Sequence, residues 1–311
     1  MGKYVDGLVS VVIPTYKRSD MLLRAIESVL NQSYKNIELI VVNDNERGDE
    51  YSKKLYLLIE KIKDSRLVFV EQEKHINGAA ARNAGIKVAR GEYIAFQDDD
   101  DYWNIDKIEK QVDVLSQLDQ SWGAVSCLKK LFVNGELIEA SVPYKSGLIL
   151  DEIMDGRISL GTGAVLIRRS ALDDTGYFDE SLIRHQDIQL FTRLASKYKI
   201  KLDKKYLHNR ETKDTQNRPN ASNIDKIKEA YFHSVSDIID KLSSKRRRQL
   251  CAIHRFETAS VFWRNNQKKE ALKRALAIFQ SPSTSIIVLT KIKDRIKGKM
   301  FREKLVKKYG D

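Results

Sequence analysis

The sequence predicts an α/β fold, with a Rossmann-like, mostly parallel central sheet flanked by helices and a helical extension at the C-terminus. Three observations predict it. β-Rich runs alternate with amphipathic helical stretches, polar clusters follow those runs directly, and the end of the chain is helical in pattern and strongly basic. Of 311 residues, 42% are hydrophobic and 32% charged, which excludes a disordered or collagen-like chain. The excess of 55 Lys and Arg over 43 Asp and Glu is local. Residues 241–311 hold 20 basic and 5 acidic side chains, against 35 and 38 in residues 1–240. Two regions with different tasks follow, divided at 1–222 and 223–311.

The elements run in order. Leu8–Ile13 is a buried strand stopped by Pro14, and Ser19 or Asp20 caps a helix with its apolar face on Leu22, Leu23, Ile26, Val29 and Leu30. Ile37–Val42 is a second strand, Tyr51–Ile62 a helix, Arg66–Val70 a third strand, 78–89 a helix and Glu92–Phe96 a fourth strand. Alternation of this kind implies parallel strands joined by right-handed crossovers. Ile105, Ile108, Val112 and Leu115 form a helical stripe. Ala124–Leu128 and Leu131–Val133 read as strands, with Asn134-Gly135 as a hairpin turn before Leu137–Ile138. Gly163–Ile167 is a strand and Ile188–Ala195 a helix. The polar stretch 209–223 reads as a loop, and helices follow over 224–242, 245–265, 268–280 and 284–308.

In open α/β sheets ligands bind beyond the carboxyl ends of the strands. Thr15-Tyr16 follows the first strand, Asn43-Asp44 the second, and four consecutive aspartates, Asp98–Asp101, the fourth. Adjacent carboxylates repel unless a cation or solvent takes up the charge, and a hard divalent ion such as Mg²⁺ or Mn²⁺ takes oxygen ligands. A solvated acidic turn is the plain alternative; the position directly after a buried strand favours the ligand reading.

Four segments, Ser10–Arg18, Glu38–Asp44, Gly78–Gly85 and Gly91–Trp103, resemble in order and spacing the signature of family 2 glycosyltransferases with the GT-A fold. Gly161–Ser170, Gly176–Glu180 and His185–Arg193 extend the likeness, which covers residues 8–210. The resemblance implies an inverting, metal-dependent transferase of the bacterial surface-polysaccharide type. It would move a sugar from a nucleoside diphosphate sugar, UDP-linked, to a hydroxyl of a glycan or lipid-linked acceptor. It places Pro14, Thr15, Tyr16 and Arg18 in the nucleotide pocket, Asp44 on the base, Arg82 and Asn83 facing the nucleotide, and Asp99 near the ribose or sugar. Asp98 and Asp100 fall to the Mn²⁺ or Mg²⁺ site, His208 to a further metal ligand, and Asp187 to the catalytic base. Where the family more often has Asp-Asp and Glu-Asp, this chain has Asn43-Asp44 and Gln186-Asp187. On the residues alone, Asp187 caps the helix that follows it, and a lone histidine such as His208 is more often a surface or hydrogen-bonding group.

The final stretch, 284–308, sets Ile286, Ile287, Leu289, Ile292, Ile296 and Met300 beside many lysines, as in helices that lie on anionic membranes. A solvated basic face or a homo-oligomer interface fits the same pattern. No aromatic platform accompanies the charge, so nucleic acid is not the expected partner. Two cysteines, no signal-like start and no spanning apolar run point to a cytoplasmic protein, peripheral at the inner membrane face. The competing readings are a sugar nucleotidyltransferase, disfavoured by the absence of glycines in Pro14–Arg18, and a catalytically silent transferase-like scaffold.

Overall fold

A computed structural model describes residues 4–18, 21–212, 221–276, 278 and 282–309. The proposed capping pair Ser19 and Asp20 lies outside the described residues. The first half runs β1 (Val5–Thr15), α1 (Leu22–Leu30), β2 (Ile37–Asn43), α2 (Glu50–Ile59), β3 (Leu67–Glu71), α3 (Gly78–Val88) and β4 (Gly91–Phe96). The second runs β5 (Tyr102–Trp103), α4 (Lys107–Ser116), β6 (Trp122–Val133), β7 (Glu136–Ala140) and α5 (Leu150–Met154), then β8 (Val165–Arg168), α6 (Arg169–Thr175), α7 (Gln186–Lys197) and β9 (Lys199–Thr212). Five helices complete the described chain: α8 (Ile224–Ser234), α9 (Ser236–Asp240), α10 (Ser244–Arg264), α11 (Lys268–Leu276) and α12 (Pro282–Tyr309).

One sheet has the order β3-β2-β1-β4-β8-β6-β9-β5, with β7 on β6. The first four strands are parallel, as their buried runs predict, while β8 enters antiparallel to β4 and the sheet is mixed beyond it. Residue alternation divides the core into two layers. Val12, Ile40, Val42, Ile94 and Phe96 pack against α3 and α7, whereas Val9, Val11, Ile13, Leu39 and Val41 pack against α1 and α4. Gly85 lets α3 approach closely, since a Cβ there would lie 2.4 Å from Val12 Cγ1. The parallel registers Thr15↔Asn43 and Val12↔Phe96 bring the carboxyl ends of β1, β2 and β4 to one edge.

Several boundaries differ from the sequence pattern. Ala124–Leu128 and Leu131–Val133 are one strand, β6, because both halves pair with β9. Asn209–Thr212 continues β9 instead of opening a loop; backbone pairing with Lys130–Val133 holds these polar residues in the sheet. The rest of the expected loop, 213–220, lies outside the described residues. The helix expected over 224–242 is two, α8 and α9, broken at Val235. Pro282 opens α12, at a helix start where its missing N–H costs nothing.

The basic C-terminal helices dock on α5 and α7. Tyr231, Val235, Ile238 and Leu250 enclose Met154, and His254 Nε2 lies 2.9 Å from the Met154 carbonyl. Arg246 bonds Asp151 and Asp155 at 2.7 Å each. Glu257 on α10 receives Lys228 Nζ from α8 at 2.8 Å and Lys291 Nζ from α12, and Lys291 also donates to the Asp155 carbonyl. Burial raises the Glu257 carboxyl, but these two lysines outweigh it and hold the group far below the usual range.

Candidate active site

The end of β1 leads into Tyr16, whose ring stacks on His75 at 3.7 Å between centroids and 12° between planes. His75 Nδ1 lies 3.0 Å from Asp44 Oδ2, and Gln72 Nε2 donates to Asp44 Oδ1 at 2.6 Å. Asp44 is buried, which raises its carboxyl above the ordinary value while His75 pulls it down. Asn43, the departure from the paired acids, is committed inward: its Nδ2 donates to Ser52 Oγ at 3.0 Å and its Oδ1 accepts from the Asn45 side chain at 2.9 Å. An aromatic face beside a buried carboxylate, each of whose oxygens retains further acceptor capacity, is suited to a flat heterocycle with donor groups.

The aspartate run meets this crevice from β4. Thr15 Oγ1 donates to Asp99 Oδ2 at 2.9 Å, and Arg18 reaches both Asp99, at 3.4 Å, and Asp100. Arg82 Nη2 donates to Asp98 Oδ1 at 2.6 Å, with its plane near the Phe178 ring. Burial works against ionisation throughout the run, but Arg82 wins at Asp98, whose carboxyl is lowered. At Asp99 burial wins and pushes the carboxyl up to about 7. Asp100 is likewise raised, by burial and by Asp101. Each guanidinium thus occupies carboxylate oxygens at the mouth of the crevice, where a phosphate group or a cation would compete for the same partners.

Asp101 closes the run on the inner side. It is 2.8 Å from His208 Nε2, and Arg210 Nε approaches its Oδ2 at 3.9 Å. Burial, followed by the charge of Asp98, pushes Asp101 up to about 8, while burial and Lys129 drive the His208 imidazole well below its ordinary value. His208 fits here because Gly163 has no side chain: a Cβ would stand 2.6 Å from the ring. His208 is therefore brought to Asp101, and its Nδ1 is buried with no hydrogen-bond partner.

Asp187 lies in the first turn of α7, where its Oδ1 accepts the Ile188 N–H at 2.8 Å. It is not the cap, because the helix starts one residue earlier. The capping position belongs to His185, held at φ +65°. Asn83, expected beside the nucleotide, ties down the 178–180 turn: it donates to the Phe178 carbonyl at 2.9 Å and to Glu180 Oε1 at 2.8 Å. Trp103 is core, with the buried Lys107 ammonium 3.7 Å above its ring.

A family profile for glycosyl transferase family 2 matches residues 10–175. The chain belongs to that family. The match sets aside the nucleotidyltransferase alternative. A UDP-glucose:α-D-GlcNAc-diphosphoundecaprenol β-1,3-glucosyltransferase of Escherichia coli is 42% identical over 105 residues, 34% of this chain and 40% of the relative. The amylovoran biosynthesis glycosyltransferase of Erwinia amylovora is 28% identical over 190 residues, 59% of this chain and 62% of the relative. The chain thus spans 40% and 62% of the lengths of those two relatives. Among solved structures, a mannosyltransferase from Pyrobaculum calidifontis in complex with GDP-Man and Mn²⁺ superposes with a TM-score of 0.58 at 18% identity, covering 94% of this chain and 83% of that one. Staphylococcus aureus TarS 1-349 superposes with a TM-score of 0.60 at 20% identity, over 86% and 79% of the two chains. These likenesses establish the GT-A architecture of the chain.

Site residues that motifs did not single out are His75, Gln72 and Lys129. His75 and Gln72 sit in the connection after β3, where no periodicity marks them; Tyr16 and Asp44 acquire meaning for them only when β1 and β2 are paired. As for a metal, among the described residues no group of three His, Cys, Asp or Glu side chains converges. Asp98 and Asp100 supply the oxygen chemistry of a hard cation, and both now face guanidinium groups, as anions do when positive charge belongs beside them.

Proposed function

We propose that this protein is an inverting transferase that moves a sugar from a UDP-linked donor to a hydroxyl of a glycan or lipid-linked acceptor in surface-polysaccharide synthesis. The carrying observation is the meeting, at one sheet edge, of the stacked Tyr16 and Asp44 with a carboxylate run already engaged by Arg18 and Arg82. Tyr16 and Asp44 would hold the base, and Pro14 and Thr15 would shape the floor beneath it. Asp98 and Asp100 would hold Mn²⁺ or Mg²⁺, which supplies charge neutralisation of the diphosphate when bound. Arg18 and Arg82 would turn from the carboxylates to the phosphates, and Asp99 would face the ribose or sugar. The Escherichia coli relative is named for an α-D-GlcNAc-diphosphoundecaprenol acceptor and the Erwinia relative for amylovoran biosynthesis, which supports a lipid-linked or glycan acceptor.

Asp187 would take the proton of the acceptor hydroxyl as that oxygen attacks the anomeric carbon and the nucleoside diphosphate departs. Its place on a rigid helix start leaves one carboxylate oxygen, Oδ2, for that task. Asp187→Asn is expected to lower kcat by about a thousandfold while donor affinity stays within about twofold. A UDP-release assay beside donor calorimetry checks both, and near-normal turnover would remove Asp187 from the role.

The exposed stripe of α12, with Ile286 at 64%, Leu289 at 56%, Ile296 at 57% and Met300 at 56% exposure, would lie on an anionic membrane. Among the described residues no helix is long and apolar enough to cross one.

A further inference from the structure

A cavity of about 770 Å³ lies between β6, the 141–145 and 157–160 segments and α12. Seven Lys and Arg and two Glu line it, so its wall carries a marked positive excess. Part of that charge is matched locally, with Lys145 Nζ 2.8 Å from Glu152 and Arg157 3.2 Å from Asp155. Other members keep theirs. Lys129 Nζ donates to the Ser159 carbonyl at 2.9 Å, and among the described residues no carboxylate lies within ion-pair distance of it. Lys297 is exposed on α12. Arg210 is half exposed, with Asp101 its near carboxylate at 3.9 Å.

The cavity reaches the aspartate run through Arg210, which lines it and approaches Asp101 at 3.9 Å. Arg18 engages Asp99 and Asp100, the neighbouring members of the run. Lys129 pairs in register with His208 across β6 and β9. The charges of Asp187 and Asp101 both favour the ammonium form of Lys129, which also lines the cavity. Burial, and next to it Arg210, lowers that ammonium to about 8. Like charges gathered around a concave space are unfavourable until an anion enters, and lysine and arginine head groups match phosphoryl oxygens.

We infer that this cavity is the subsite for the phosphoryl groups of a phosphorylated acceptor, held by Lys129, Lys145, Arg157, Arg210 and Lys297 so that its terminal sugar reaches the aspartate run. The inference rests on the reading of that run as the transfer site, and it names the acceptor class that the motifs left open. The phosphoryl group belongs either to a lipid-linked diphosphate or to a phosphate without lipid, and the two are separable by experiment.

The test is calorimetry on the full chain at low salt in EDTA, with inorganic pyrophosphate and geranyl diphosphate as probes, and with UDP plus Mn²⁺ in a separate arm. Lys297→Gln and Lys145→Gln are each expected to weaken pyrophosphate binding about threefold, and the pair about tenfold, with UDP affinity within about twofold of the parent. Lys297 sits on the surface, so its variant keeps the test valid if loss of the Lys145–Glu152 pair disturbs the fold. Geranyl diphosphate binding tenfold tighter than pyrophosphate supports the subsite with a lipid-linked acceptor; equal affinities support it with phosphate alone. Absence of binding by both probes, or binding unchanged in the double variant, overturns the inference. Loss of pyrophosphate affinity in the variants alongside absent UDP binding leaves the cavity assignment standing and overturns the donor reading instead.

Discussion

The crevice at the ends of β1, β2 and β4 and the wall built by β6 and α12 treat charge in opposite ways. In the crevice the acids that matter are each met by a specific partner: Asp44 by His75 and Gln72, Asp98 by Arg82, Asp99 by Thr15, Asp100 by Arg18. On the wall positive charge accumulates, and one buried knot, Glu257 between Lys228 and Lys291, fastens the helices that carry it. Arg18 is half exposed, so a ligand can replace it beside Asp99 and Asp100 at little cost. A buried knot is not exchangeable in this way, because removing one member strands the others in a poor solvent. The first region is built to trade partners and the second to stay in place.

Three perturbations sharpen that contrast, below the thousandfold effect assigned to Asp187. Glu257→Gln leaves the buried Lys291 and the partly buried Lys228 without their carboxylate and is expected to destabilise the protein by about 3–5 kcal/mol, read as a lower denaturation midpoint. The same knot sets a pH dependence. Glu257 has a folded-state value below its ordinary 4.5, so its contribution is complete above that value and is lost as pH falls beneath it. Stability of the parent is expected to drop on acidification below about pH 4.5 more steeply than that of Glu257→Gln; parallel curves would mean that the knot does not fasten the helices. Asp100→Asn is expected to weaken metal-dependent UDP binding about tenfold and to leave stability nearly unchanged, since its partner Arg18 is half exposed. His75→Ala removes the ring against Tyr16 and a contact to Asp44, and a loss of UDP affinity of about fivefold is expected without loss of metal response. An equal loss for pyrophosphate would place His75 outside the base pocket.

The contrast also explains what the sequence made legible. Buried runs such as Ile37–Val42 and the amphipathic face of Leu22, Ile26 and Val29 announce the parallel half, since local burial decides those elements. Thr15, Asp44 and Asp98–Asp101 are legible as site candidates because each follows such a strand directly. Asn209–Thr212 was misread because polarity signals a loop, whereas pairing with β6 keeps it in β9. The two-residue strand β5 and the helices α5 and α6 are too short for a periodic signal. His75 and Lys129 gain their roles from neighbours distant in sequence, which no local pattern encodes. Likewise, nothing in Glu257 predicts its two lysines until three helices are packed together.

Under the proposed function, the crevice holds a nucleoside diphosphate through a cation bound by the aspartate run. Calorimetry of the purified protein with UDP, GDP, CDP and dTDP, each with Mn²⁺ and with EDTA, tests it most directly. UDP is expected to bind with Mn²⁺ at least tenfold more tightly than in EDTA, and more tightly than the other three. Binding of UDP that is equally tight in EDTA would contradict the role given to Asp98 and Asp100, and absence of binding by all four would contradict the claim itself.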